Sequence, residues 1–271
     1  MKTQTTGLKR NNIEKFYTKP GIAKRFSNIY QKLVKIEKDE LIIEPAAGTG
    51  VWSNQFSDYK LLSYDIAPAG ENILCQNFLE LDLTAGFHIP LHFIGNPPFG
   101  RQATLAKQFI KKICNYPKTK AIGFILPKSF KKDSFKKTFN TNYHLIYPED
   151  IEDNAFLVNG EDYTVPCVFQ IWKKETYKRT APIIYNTKGY QFVKKEENPN
   201  YSLRRVGVYA GKIDKNIESK SAQSHYFIKL TKPINNFIEK YNSSVKFEHN
   251  NTVAAKSISK QEFIKEINNL F

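Results

Sequence analysis

Cysteine is scarce and scattered. The three present, Cys75, Cys114 and Cys167, share no C-x-x-C spacing, which excludes a disulfide framework and offers no structural zinc site. Nor do His88, His92, His144, His225 and His249 fall at ligand spacing, so the sequence gives no metal site for catalysis. No apolar run approaches the length of a bilayer-spanning helix, and the first residues are polar and basic without an apolar h-region. The glycines at 48 and 50 are not followed by the Lys-Ser/Thr of a P-loop or by a third glycine of the dinucleotide fingerprint, which argues against NTP hydrolysis and hydride transfer. The expectation is a protein without metal or membrane partner in a reducing compartment: cytoplasmic, or nuclear or in a viral factory if the host is eukaryotic.

Acidic residues are also in short supply. Against 26 Asp+Glu stand 41 Lys+Arg, a net charge of +15, and 14% of residues are aromatic. Excess positive charge with aromatics favours a polyanionic partner such as nucleic acid; the bland alternative is a lysine-rich solvated surface. A chain of 271 residues suits one large domain, or a main domain with a smaller one.

The most informative stretch is Asn96-Pro97-Pro98-Phe99, which follows the apolar run Leu91 to Ile94. Two consecutive prolines bar helix and central strand, because neither supplies an N–H and each restricts its predecessor. Gly95 and Gly100 bracket this rigid loop, where backbone can approach a ligand without a Cβ in the way. A loop at the carboxyl end of a buried strand is where open α/β sheets place their sites.

In chain order, residues 1–12 are polar and read as a flexible N-terminus. Phe16-Tyr17-Thr18-Lys19-Pro20 then precedes Ile22, Ala23, Phe26, Ile29, Tyr30, Leu33 and Val34, whose spacing of three and four predicts an amphipathic helix. Pro20 suits its first turn, and Phe16 and Tyr17 read as a staple onto the core. Leu41 to Glu44 is a short apolar run ending in an acid. Pro45-Ala46-Ala47-Gly48-Thr49-Gly50 should turn it into a helix carrying Trp52 and Phe56. Strand, small-residue turn and helix let main-chain N–H groups approach a cofactor. A second run, Leu61 to Tyr64, ends at Asp65, where nucleotide-binding folds hold ribose hydroxyls. Ile73 to Leu83 reads as a third run and Leu91 to Ile94 as a fourth, followed by a helix from Ala103 to Ile113. Three more strands are expected: Ala121 to Leu126, Tyr143 to Ile146 and Val165 to Trp172. An acidic, turn-rich connection should separate the last two. This alternation predicts an α/β fold, with a mainly parallel sheet covered by helices on both faces. Asp150, Glu152 and Asp153 in the connection read as a solvated acidic cluster.

Glu44-Pro-Ala-Ala-Gly-Thr-Gly50 together with Asn96-Pro-Pro-Phe99 resembles the S-adenosylmethionine-dependent methyltransferases that modify the N6 amino group of adenine in DNA. The Phe-Tyr-Thr-Lys-Pro stretch before the Gly-rich loop is similar to that family's additional cofactor motif. A variable region after the catalytic part is similar to its gamma group. The resemblance covers roughly residues 13 to 174 and implies a Rossmann-like catalytic domain there, with 175–271 as a target-recognition region. Carried onto this sequence, it implies that Ala46, Gly48 and Gly50 wrap the methionine part of S-adenosylmethionine. Glu44 would organise the loop, Asp65 would meet the ribose, and Tyr17, Thr18 and Pro20 would close the pocket from the other side. Asn77 stands where relatives carry an aspartate facing the cofactor's adenine, with Phe78 beside it; its side-chain oxygen can still accept.

The same resemblance implies that Asn96 and Pro97 hold the target amine within the Asn96, Pro97, Pro98, Phe99 loop, with Phe99 stacked on the base. An amine buried in a duplex must be reached by base flipping or on a single strand. A second stacking surface is then expected at Phe156, with Tyr163 as substitute and an ordinary core phenylalanine as the plain alternative. From Glu175 onward stand 17 Lys+Arg and 9 Asp+Glu, a balance of +8. Arg204, Arg205, Lys212 and Lys220, near Lys215 and the aromatics Tyr201, Tyr209, Tyr226 and Phe227, suit phosphate contact and stacking. Ser257 to Phe271 reads as a capped terminal helix. The alternatives kept open are adenine in RNA, including cap-adjacent adenosine, glutamine in a protein, and a catalytically silent nucleic-acid-binding module.

Overall fold

Every residue of Leu41–Glu44 (β2) and Leu91–Gly95 (β5) is buried, so both read as continuous apolar runs, as strands covered on both faces must. They lie side by side at the centre of a seven-stranded sheet in a computed structural model of the chain, which describes residues 16–181, 183–247 and 256–271. The expected flexible segment 1–12 lies outside the described residues. The chain divides into two compact units, Met1–Ala181 and Pro182–Phe271.

In the first unit, Tyr17–Thr18 (β1) leads into Pro20–Leu33 (α1), with Pro20 in the first helical turn, where a missing N–H costs nothing. After β2 come Lys60–Asp65 (β3), Leu74–Cys75 (β4), Leu83–Gly86 (α2), β5, Thr104–Asn115 (α3), Thr119–Pro127 (β6), Asp133–Lys136 (α4), Tyr143–Asp150 (β7), Phe156–Val158 (β8), Glu161–Tyr163 (β9) and Cys167–Lys174 (β10). The sheet order is β4-β3-β2-β5-β6-β10-β7. β2, β3, β4, β5 and β6 pair in parallel, and β10 alone runs against its two neighbours, β6 and β7. This is the mainly parallel, Rossmann-like sheet the alternation predicts. The chain's direction of travel across it reverses between β2 and β5, which opens a crevice at their carboxyl ends.

Alternate residues feed two cores. Ile43, Phe93, Ile122 and Phe124 pack with Phe109, Ile110 and Ile113 of α3 on one face. Ile42, Ile94, Ala121 and Ile125 pack with Phe26 and Tyr30 of α1 on the other. That second face is covered by α1 together with a small antiparallel sheet, β1-β8-β9, rather than by helices throughout. The turn-rich connection therefore contains a hairpin, with Phe156 paired to Thr18 and to Tyr163.

Two further expectations are corrected. The helix predicted to carry Trp52 and Phe56 is one 3-10 turn, Ser53–Gln55. Few residues separate Gly50 from β3, and the Glu44 carboxylate caps the turn at Ser53 N. The third run yields only Leu74–Cys75 as strand, because Asn77 folds back on Leu79 N in a turn. The first unit also continues past Lys174. Glu175 N bonds Asn142 O and Arg179 N bonds Thr141 O. The Arg179 guanidinium donates to the carbonyls of Lys136, Phe139, Asn140 and Tyr143.

One buried polar chain spans this unit. Tyr30 Oη lies 3.0 Å from His92 Nδ1, His92 Nε2 lies 2.7 Å from Glu40 Oε2, and Glu40 Oε1 accepts from Lys120. Burial holds the His92 imidazole below the usual histidine range, against the pull of Glu40, so it stays neutral and passes hydrogen bonds along the chain.

The second unit contains Tyr190–Val193 (β11), Tyr201–Arg204 (β12), Ile213–Asp214 (β13), His225–Leu230 (β14), Phe237–Ser244 (α5) and Lys260–Ile267 (α6). Its sheet is antiparallel, in the order β11-β14-β12-β13. Tyr190, Leu203, Ile228, Phe237 and Phe263 form its core. The terminal helix is capped as the sequence suggests: Ser259 Oγ accepts from Glu262 N while Glu262 accepts from Ser259 N, a reciprocal capping box. Among the described residues no helix is long and apolar enough to cross a membrane, and no group of three or more His, Cys, Asp or Glu is placed to hold a metal.

Candidate active site

A cavity of about 260 Å³ lies at the carboxyl ends of β2, β3 and β5. Its construction starts with Glu44. The side chain, 1% exposed, crosses Gly95, where an added Cβ would stand 3.3 Å from Glu44 Cγ. Gly95 has φ +127°, so both its backbone angle and the crossing side chain require glycine. Glu44 Oε2 accepts from Ser53 N at 2.8 Å and from Ser53 Oγ, and this ties the far end of the Gly-rich loop to β2. Burial pushes the Glu44 carboxyl up to about 8, against the Ser53 donors and with a contribution from the Asp65 charge. Its Oε1 is buried without a partner among the described residues.

Asp65 ties down the near end of the loop. Its Oδ2 accepts from Gly48 N and its Oδ1 from Ala67 N, both at 2.8 Å. Gly48 has φ +55°, and a Cβ there would come 2.9 Å from the Tyr17 ring. That ring lies directly over the loop. Thr18 is buried and its Oγ1 accepts from Trp52 Nε1 at 3.4 Å.

Of the ten cofactor candidates, Tyr17, Thr18, Glu44, Ala46, Gly48, Asp65, Asn77 and Phe78 line the cavity. Pro20 and Gly50 do not. Pro20 is exposed at the start of α1, while Gly50 is buried with its N–H on Ala47 O. Asn77 is partly committed elsewhere: Oδ1 accepts from Leu79 N and Nδ2 donates to Glu80. Phe78 packs edge-on against Phe93 and forms part of the apolar floor.

Asn96, Pro97, Pro98 and Phe99 line the same cavity. Asn96 Nδ2 donates to Phe16 O at 3.1 Å, and its Oδ1 is buried with no donor among the described residues. A buried acceptor left unpaired costs about 1–3 kcal/mol, so a donor is expected from whatever enters. Past the loop, Gln102 and Ala103 hold left-handed φ of +54° and +58°, a costly conformation that recurs beside binding sites.

The second aromatic surface is not where the sequence puts it. Phe156 is fully buried in the core under α1 and does not line the cavity. It is therefore a core phenylalanine. Phe16 faces Phe99 instead, with ring centroids 6.4 Å apart and planes 29° from parallel, and it is backed by Tyr163 at 5.4 Å and 20°. Sequence reasoning took Phe16 as a staple; its place two residues before Thr18, already assigned to the pocket, is the signal that could have found it. Ile66, 55% exposed on the cavity rim, was also missed, although it directly follows the strand-tip Asp65.

Two acids of the cluster, Asp150 and Glu152, are ion-paired, and Asp153 is exposed. Asp150 ends β7 and meets Lys128 and Lys131, each at 3.0 Å, and Glu152 meets Arg25 at 2.9 Å. In the second unit, Arg204, Lys212 and Lys220 line one cavity. Arg205 is not part of it. It lies over the Tyr226 ring at 5.0 Å, with Nε buried and without a partner among the described residues, since successive residues of extended chain face opposite ways.

No family model matches the chain, and no curated protein matches it. Among solved structures, the 23S rRNA methyltransferase ErmE is 15% identical over 60% of this chain and 71% of that one, with a TM-score of 0.45. A dimethyladenosine transferase from Plasmodium falciparum is 12% identical over 59% of this chain and 62% of that one, with a TM-score of 0.41.

Proposed function

We propose that this chain is an S-adenosylmethionine-dependent methyltransferase acting on the N6 amino group of adenine in nucleic acid, with DNA as the substrate. The observation that carries the reading is Asn96 Oδ1, a buried acceptor without a donor among the described residues, set beside two facing aromatic rings and a Gly-rich loop. The residues present fit the cofactor. Gly48 leaves room only for backbone under Tyr17, and Ile66 and Phe78 offer apolar surface to a planar ring.

When bound, S-adenosylmethionine supplies a sulfonium methyl that is already electrophilic, so the chain's task is positioning. Tyr17, Thr18, Ala46, Gly48, Asp65, Asn77 and Phe78 would hold it. Glu44 and Gly50 would shape the loop, and Pro20 would fix the start of α1. Asn96 Oδ1 and the Pro97 carbonyl would accept the two amino hydrogens, drawing the nitrogen toward a tetrahedral state with its lone pair free. Proline at 97 and 98 keeps those acceptors rigid. Alignment of this kind is worth several kcal/mol without a catalytic base. Phe99 would stack on one face of the base and Phe16, in place of Phe156, on the other.

The test is transfer of radiolabelled methyl to a panel of unmethylated duplex DNA, single-stranded DNA, RNA and protein, followed by nucleoside mass spectrometry. N6-methyladenine in duplex DNA is the expected result. Label in RNA alone would keep the chemistry and replace the substrate. Label in protein, or none with any substrate, would overturn the proposal.

A further inference from the structure

The second unit carries a cavity of about 170 Å³ whose lining includes Arg204, Lys212, Lys220, Asp214, Tyr209 and His225. Three cations face one carboxylate, and the carboxylate is committed: Asp214 Oδ2 pairs with Lys220 at 2.9 Å and Oδ1 accepts from Asn216 N at 3.0 Å.

Arg204 and Lys212 are held together by backbone. Arg204 N donates to Lys212 O at 2.8 Å and Gly211 N donates to Arg204 O at 2.7 Å, closing a short loop over residues 205–211. Arg204 Nε is fixed on Val206 O at 2.9 Å. The two terminal guanidinium nitrogens, and the Lys212 ammonium, have no protein acceptor among the described residues. Arg204 on Val206 O and Lys220 on Asp214 are held by protein partners, so for these two less side-chain entropy remains to be lost on binding. At the tip of the same loop Val208 and Tyr209 are 80% and 69% exposed. A flat, exposed aromatic beside a basic pocket suits a base stacked next to a bound phosphate.

We infer that this cavity is a phosphate pocket for a polynucleotide strand, in which Arg204 and Lys212 donate to one phosphate, Lys220 adds charge, and Tyr209 stacks on the adjoining base. The assignment rests on the second unit alone and stands or falls independently of methyl transfer.

The test titrates inorganic phosphate into the full chain by calorimetry, without S-adenosylmethionine. It is run on wild type, Lys212→Met, Asp214→Asn and Lys215→Met, with circular dichroism confirming each fold. One saturable site is expected. Lys212→Met should weaken it about tenfold or more, a change of about 1.4 kcal/mol. Lys215→Met, which removes the same charge outside the pocket, should leave it unchanged. Asp214→Asn should tighten it by releasing Lys220, a gain that misfolding cannot mimic. Oligonucleotides with a 5′-phosphate or a 5′-hydroxyl then separate the sources: loss of affinity in Lys212→Met for both marks an internal phosphodiester, and loss for the phosphorylated one alone marks a strand end. Absence of a saturable site, equal weakening by Lys215→Met, or no tightening by Asp214→Asn would each overturn the assignment.

Discussion

Glu44 gives a pH dependence that can be worked through. Its ordinary value is 4.5, and burial lifts it to about 8 in the folded chain. Between those two values the unfolded chain has released the proton and the folded chain still holds it. Folding therefore takes up a proton, and stability falls as pH rises. The contribution is complete below about pH 4.5, declines by about 1.4 kcal/mol per pH unit, and levels off above about 8 after a loss of about 5 kcal/mol. Glu44→Gln keeps an oxygen to accept from Ser53 N and has no proton to release. Urea unfolding of both proteins at steps from pH 5 to 9, followed by circular dichroism, should give a difference curve of that slope. Other titrating groups, including His92, are common to both proteins and cancel in the difference. If the two curves run parallel within about 1 kcal/mol over the window, the carboxyl is not held protonated and the argument from its burial fails.

The remaining predictions concern single side chains. Asn96→Ala should abolish methyl transfer while cofactor affinity, read by calorimetry, stays within a few-fold; wild-type turnover would sink the proposed mechanism. Phe156→Ala should cost about 3–5 kcal/mol of stability as a core truncation. Phe16→Ala should leave folding nearly intact and weaken binding of an adenine-containing oligonucleotide by about 1–3 kcal/mol, and the reverse pattern would restore Phe156 as the stacking residue. Arg204→Ala should lower the salt slope of DNA binding by about one. Arg205→Ala should act mainly on stability through the lost contact with Tyr226, so equal slopes for the two variants would contradict their separation.

The sequence is most legible where one residue type has one physical use. Double proline, apolar runs and the acids at the tips of β2 and β3 placed β2, β3 and β5 and hence the crevice. It is least legible where pairing decides orientation. Phe156 sits in a connection rich in turn residues, and only its register with Thr18 sends the ring into the core. The same small sheet carries Phe16 round to face Phe99, a contact between residues more than eighty apart in sequence that no local spacing encodes. Asn77 looked available because its chemistry permits accepting a bond, but its turn uses that oxygen on Leu79. In the second unit, charge spacing grouped Arg204 with Arg205, whereas strand alternation parts them.

Arg179 decides where this protein can be divided. Its guanidinium holds four carbonyls around the α4–β7 corner and lies 5.4 Å over Trp172. A fragment cut after β10, at Lys174, would leave those carbonyls and that indole uncovered, while one cut after Ala181 keeps the strap. Any recombination that exchanges the second unit for another must therefore splice beyond the strap, and the seven residues after Lys174 would be inherited with the first unit although they form no strand or helix of it.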